Sequence, residues 1–434
     1  MLITRRLGHE PALALDDTLR TLANHDWSSG GGLLAYYPVV RGNPFQALLY
    51  SRLGESGLTP VPTYDIDTTL AAADAIAGSG LELVTHVHWL NVVMAKADDE
   101  AMAREALKRY LERLHALKDR GARLMWTVHN ILPHEARFPD LEAELRQGVV
   151  DAVERVHVMS PRTRELVAPW FDIPEAKLLP VPHPAYHDVY PSWMSRRQAR
   201  AELGLAPEVT AFLLIGRIQP YKGITELLDA FDLLCAREPG RYVLLVAGPP
   251  SRDDESRAFR ERMLTHPCAY AALRKVPDDE LQVYLRAADV AVFPYRRSLN
   301  SGALALALTF GLPVVVRDDS GGDARLSSAY AVQYAGDAPA DIVDALVESR
   351  RLVTAQARLS AAGAAARITP ARVSGAFSAA VRDWIDADPR VNTVAGSDNR
   401  TDADSRADAD TDHRIDADQR AEFDHAGHAG GAQE

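Results

Sequence analysis

Short apolar runs alternate along most of the chain with longer segments whose apolar residues recur every three to four positions, the pattern of parallel strands joined by crossover helices. In the first half these runs predict strands at 33–37, 81–88, 123–129 and 155–159. Between them, 104–118 sets Leu107, Tyr110, Leu111 and Leu114 on one face of a helix that Gly121 closes. Ser160-Pro161 has the order of an N-cap followed by a first-turn proline. The proline-punctuated run LLPVPHPAYHDVYPSW suits neither a helix nor a central strand, so the first domain should end in it. The second half restarts with strands at 210–215, 242–247, 290–294 and 313–316 and with helices from Gly223, near 278–287 and at 302–310. Two doubly wound α/β domains follow, at 1–190 and 209–372, with a hinge at 191–208 and a last helix, 373–389, expected to pack back on the first domain. In such sheets ligands sit beyond the carboxyl ends of the strands, so two facing domains would share a cleft.

Composition narrows the function classes. The chain has 434 residues, 47% hydrophobic and 25% charged, which suits two soluble domains with sizeable cores. A formal net charge of −12 without a basic, aromatic-laced stripe argues against nucleic-acid binding. Eleven acidic residues and five arginines fall from Arg390 onward, so 390–434 reads as a disordered acidic tail whose His413, His425 and His428 need bind nothing. Only Cys235 and Cys268 occur, which fits a reducing compartment and gives no cysteine metal site. Arg5, Arg6 and His9 interrupt any secretory leader, and a cytoplasmic protein is expected.

Candidate chemistry concentrates where strands pass into helices. In FLLIGRIQPYKGITELLDAF, at 212–231, the strand stops at Gly216 and a helix starts after Gly223, which leaves Arg217 and Lys222 in the turn between them. Two cations beside helix-start N–H groups suit a diphosphate. Further on, Ser298, Asn300, Ser301 and Gly302 place hydroxyl, amide and bare backbone donors before another helix, with Arg296 and Arg297 just ahead. In the first half, His88 and His129 end strands and should open into the cleft, joined by Trp89 and Asn91 and by Asn130, His134 and Glu135. A base that takes a hydroxyl proton would come from His129, His134 or Glu135, with His129 first. His183 and His187 have a zinc-like spacing, but Pro182 and Pro184 flank the first and rule out the helix that spacing needs, so no metal site is expected.

These blocks, in order, carry a resemblance. Gly216-Arg217, Lys222-Gly223, LVAGPP at 245–250, RKVPDDELQVYLRAADVAVFPY at 274–295 and FGLPVVV at 310–316 resemble the carboxyl-terminal domain of GT-B glycosyltransferases of the group-1 superfamily. RGNPFQALLYSRLGESGL at 41–58, HVHWLN and WTVHNILPHE are similar, more loosely, to loops of its acceptor domain. The resemblance implies transfer of a sugar from a nucleotide diphosphate sugar to a glycan or glycolipid acceptor, with no cofactor and no metal. Arg217 and Lys222 would hold the diphosphate, Arg274, Lys275 and Val276 would border the base, and Ser298 to Gly302 would lie on sugar and phosphates. Asn43, His88 and Trp89 would stand on the acceptor side. A lipid-linked acceptor would add peripheral contact with the inner face of a membrane.

One departure is plain. Many group-1 enzymes carry two glutamates eight positions apart before the Gly-Leu-Pro segment, and here those places hold Ser298 and Leu306. Either the Asn300-Ser301-Gly302 turn takes over the holding, or the chain is an inactive shell that binds nucleotide or glycan. An epimerase on the same fold would want a cleft rich in acids and bases.

Overall fold

The computed structural model describes residues 31–40, 42–133, 136–318 and 326–388. The expected His134, Glu135 and the 390–434 tail lie outside them. The first sheet contains β1 (Gly32–Tyr37), β2 (Leu58–Pro62), β3 (Glu82–Val87), β4 (Arg123–Thr127), β5 (Arg155–Val158) and β6 (Leu178–Pro180) in the order β2-β1-β3-β4-β5-β6. The second contains β7 (Thr210–Ile215), β8 (Tyr242–Ala247), β9 (Ala269–Ala272), β10 (Val290–Phe293), β11 (Val314–Arg317) and β12 (Ala331–Tyr334) in the order β12-β11-β10-β7-β8-β9. Every pairing within them is parallel. The chain reverses its direction of winding at β1/β3 in the first sheet and at β7/β10 in the second, the two crevices where such sheets accept ligands.

Both faces of the first sheet are covered, which is why its strands are apolar almost throughout. Leu33, Ala35 and Tyr37 of β1 point to one core with Trp126 and the helix Glu100–Asp119, while Leu34 and Tyr36 point to the other. That second face is closed by the helix Pro370–Ala387, whose Val373, Phe377, Val381, Trp384 and Ile385 recur at helical spacing. Thr369 caps it and Pro370 opens it, so its start is encoded locally. Arg123, buried at the foot of β4, ion-pairs with Asp388 just beyond its end.

The segment expected as a hinge, 191–208, carries a helix, Arg196–Glu202, with a Ser195/Gln198 capping box. Arg196 and Arg200 fix it to the buried Asp289 at 2.5 and 3.3 Å, and Ala199 and Leu203 join the core of the second sheet. The two crossings between the halves run side by side, with Ala185 N–H donating to the Ile368 carbonyl at 2.7 Å.

Candidate functional site

The turn after β7 is shaped by its glycine. Pro220–Lys222 form one 3-10 turn, and Gly223 then takes φ 66°, where a Cβ would lie 2.2 Å from the Pro294 carbonyl oxygen. Only glycine lets this turn press against the end of β10. Lys222 is thereby driven inward to 6% exposure, its Nζ 5.4 Å from the centre of the Tyr295 ring. Burial, helped by the Arg217 guanidinium, pulls its pKa from 10.5 down to about 8. Arg217 itself is exposed at the strand end.

The turn after β10 supplies the opposite wall. Ser301 caps the helix Gly302–Thr309 by accepting from Leu304 N–H at 3.1 Å, and Ser298 Oγ donates to the Asn300 carbonyl. A Cβ on Gly302 would meet the Tyr186 hydroxyl at 2.7 Å, so glycine here leaves room for that side chain. Of the two arginines ahead of this turn, Arg296 is held by Glu226 and Glu255 at 2.6 and 3.2 Å, a structural use that the sequence did not reveal. Arg297 lines the cavity instead. That cavity, about 150 Å³, lies between Asn130–Pro133 beyond β4 and Tyr221, Lys222 and Ser298–Gly302 of the second half. Asn300 Nδ2 donates to the His129 carbonyl at 3.3 Å, so the two halves touch at the rim of the cavity.

Other expected site residues sit differently. Arg274 pairs with Glu280 at 2.6 Å, Lys275 is exposed and Val276 is buried, and none of the three lines this cavity. Asn43 accepts from Phe45 N–H at 3.0 Å and shapes its own loop. His88 does not open into the cleft as expected. It is 1% exposed and lies behind His129, its Nδ1 3.0 Å from His129 Nε2, because alternation along β3 turns it with His86 toward the final helix. Trp89 stacks on the His129 ring at 4.1 Å between centroids, which occupies one face of the indole. His183 donates from Nδ1 to the Pro184 carbonyl, in a stretch with no helix, and burial lowers its pKa to about 4. The places of the two glutamates hold Ser298 in the rim and a buried Leu306 in the core of the second sheet.

Sequence reasoning passed over Tyr50, His86, Thr127 and His157, all buried beneath His129. The available signal was polar residues inside strands whose neighbours are apolar: His86 in β3, the Thr that ends β4 and His157 in the RVHV of β5. Among the described residues, no group of three or more His, Cys, Asp or Glu is arranged to hold a metal ion. No described helix is long and apolar enough to cross a membrane.

Residues 195–364 match the family described as glycosyl transferases group 1. The chain is 33% identical over 132 residues to a D-inositol 3-phosphate glycosyltransferase of Jonesia denitrificans, a match covering 29% of this chain and 31% of that protein. It is 26% identical over 233 residues to a GDP-mannose:glycolipid 4-beta-D-mannosyltransferase of Xanthomonas campestris pv. campestris, covering 54% and 60%. The matches thus span less than two thirds of these relatives. Among solved structures, sucrose-phosphate synthase from Thermosynechococcus elongatus superposes with a TM-score of 0.61 at 14% identity, over 82% of this chain and all of the other. Anabaena HepE in complex with UDP and glucose does so with a TM-score of 0.56 at 13% identity, again over 82% of this chain and 100% of that one. The family match thus falls in the second half, where residues 195–364 are similar to group 1 glycosyl transferases, while the paired parallel sheets share the GT-B fold of the solved neighbours throughout.

Proposed function

We propose that the chain moves a glycosyl unit from a nucleoside diphosphate sugar to a glycan or glycolipid acceptor, with fixed cations rather than a metal ion holding the diphosphate. The carrying observation is Lys222, a lysine kept buried over an aromatic ring at the β7/β10 switch point and lining one cavity with the polar Ser298–Gly302 turn. A cation in that position costs the fold stability until an anion arrives. Arg217 and Arg297 extend the positive charge toward solvent, and the start of the Gly302–Thr309 helix adds backbone donors. As the bond from the anomeric carbon to the diphosphate breaks, negative charge grows on the leaving oxygen, and prearranged cations stabilise it. His129, reaching the rim from the first half, accepts the hydrogen of an incoming hydroxyl.

The relatives' names supply starting nucleotides for the screen: GDP-mannose from the Xanthomonas enzyme, UDP from the HepE complex. A glycolipid acceptor, as in the Xanthomonas enzyme's name, would bring the chain to a lipid surface peripherally. The test is a thermal-shift screen with UDP, GDP and their sugars, because a ligand that binds only the folded state raises its midpoint with occupancy. One nucleoside diphosphate should stabilise the wild type, and Lys222→Ala and Arg217→Ala should weaken that response while remaining folded. Equal shifts in all three proteins would remove the proposed diphosphate site. A second reading, a binding shell without turnover, is favoured by Ser298 and Leu306 in the places of the glutamates. Release of nucleoside diphosphate from a sugar donor in the presence of acceptor separates the two.

A further inference from the structure

Beneath His129 runs an unbroken series of hydrogen bonds that crosses three strands of the first sheet. His129 Nε2 lies 3.0 Å from His88 Nδ1, and His88 Nε2 lies 2.6 Å from the Tyr50 hydroxyl. The same hydroxyl is 2.7 Å from His86 Nδ1, and His86 Nε2 is 2.6 Å from Thr127 Oγ1. Thr127 Oγ1 is 2.9 Å from His157 Nδ1, whose Nε2 lies 2.9 Å from the Val181 carbonyl oxygen. Taken singly, each of these contacts except the last allows either atom to donate. Together they do not, because a carbonyl oxygen only accepts.

His157 Nε2 must therefore carry the hydrogen, which leaves its Nδ1 bare to accept from the Thr127 hydroxyl. Thr127, having donated, accepts from His86 Nε2–H, and His86 Nδ1 accepts from Tyr50. Tyr50 in turn accepts from His88 Nε2–H, and His88 Nδ1 accepts from His129 Nε2–H. The direction is forced as long as all four rings are neutral. Burial holds them so, with His157 lowered to about 4 and His86, His88 and His129 pushed well below the ordinary histidine value by burial and by one another. Burial likewise keeps the Tyr50 phenol protonated.

We propose that Tyr50, His86, His88, Thr127 and His157 form a one-way hydrogen-bond chain, anchored on the Val181 carbonyl, that fixes His129 as its Nε2–H tautomer with Nδ1 bare. His129 Nδ1 has no hydrogen-bond partner among the described residues, and its half-buried ring lies beside Asn130 at the rim. The five are positioning residues and His129 is the group that meets the ligand, an assignment that rests on the transferase reading of the cleft. A sugar hydroxyl can donate to bare Nδ1, whereas a carboxylate or carbonyl cannot. When that hydroxyl is the attacking one, its oxygen bonds to the anomeric carbon as the bond from that carbon to the diphosphate breaks, the electron pair leaving with the diphosphate and the hydroxyl proton passing to Nδ1.

The test is side-chain nitrogen NMR on the full chain labelled with 15N-histidine, where two-bond proton–nitrogen correlations separate the two neutral tautomers. At neutral pH His86, His88, His129 and His157 should all be Nε2–H. Thr127→Val removes the link to the anchor, so His129 should become a mixture of tautomers, while Thr127→Ser, which keeps the hydroxyl, should restore the pure form. Should the valine variant not fold, Tyr50→Phe cuts the chain nearer to His129 and carries the same expectation. With an active donor and acceptor pair, either break should lower kcat by about 10²-fold with KM little changed. Nδ1–H at His129 in the wild type, or pure Nε2–H after either break, overturns the proposal. A tautomer response without any sugar transfer would keep the chain and discard the function.

Discussion

Lys222 concentrates the conflict between fold and function in one side chain. Its folded pKa of about 8 lies below the ordinary 10.5, so between those values the unfolded chain binds more protons than the folded one. Stability from this group therefore rises with pH across that window, and below about 8 the full cost of the buried charge is present. Lys222→Met should accordingly stabilise the ligand-free protein by on the order of 1–3 kcal/mol at pH 7, with the gain shrinking to nothing above about pH 10.5. The same variant should lose the midpoint shift that UDP or GDP produces. Denaturation of both proteins across that range measures this, and a pH-independent difference would mean that the cost is packing rather than charge. The turn that carries Arg217 and Lys222 was legible in the sequence because it falls between a buried strand and a helix. The histidine chain was not, because each polar residue within a strand looks like an isolated exception until the register of β3, β4 and β5 lays them side by side.

At the scale of elements, the central strands were readable and the edges were not. β7 and β8 match their apolar runs residue for residue, while β2, β6, β9 and β12, the four unrecognised strands, are the four sheet edges. β2 and β6 contain prolines, which an edge tolerates because no neighbour needs the missing N–H. β9 is half exposed and short, so its pattern is too weak to separate from a loop. The turn between β7 and its helix belongs to this scale as well, because its effect passes between elements. Gly223→Ala would force a Cβ onto the end of β10 in a left-handed conformation, separating the Lys222 turn from the Ser298–Gly302 turn. The expected result is a loss of more than about 1 kcal/mol and a nucleotide affinity weakened along with it. Calorimetric titration with UDP and GDP would show whether affinity follows; unchanged binding would mean that the turns need not touch.

Across the whole molecule, one helix from the end of the described chain completes the half that begins it. Phe377 of the helix Pro370–Ala387 stacks on His86 at 5.5 Å between centroids and meets Tyr50 and His157, so the final helix roofs the hydrogen-bond chain as well as the core. Ser374 adds a fixed point by accepting from Arg52 N–H at 2.8 Å. Phe377→Ala would open a cavity against the first sheet, at a cost of about 3–5 kcal/mol. The proposed nucleotide site stands on the second sheet, whose core does not include Phe377. The variant should therefore melt earlier, in a transition assigned to the first half, yet still gain midpoint from UDP or GDP in the second. Transfer to acceptor should fall more than donor binding, because the roof over His86 loosens the chain that orients His129. Donor binding and transfer lost in equal measure would show that the two halves do not separate these tasks, and that the final helix serves the nucleotide site directly.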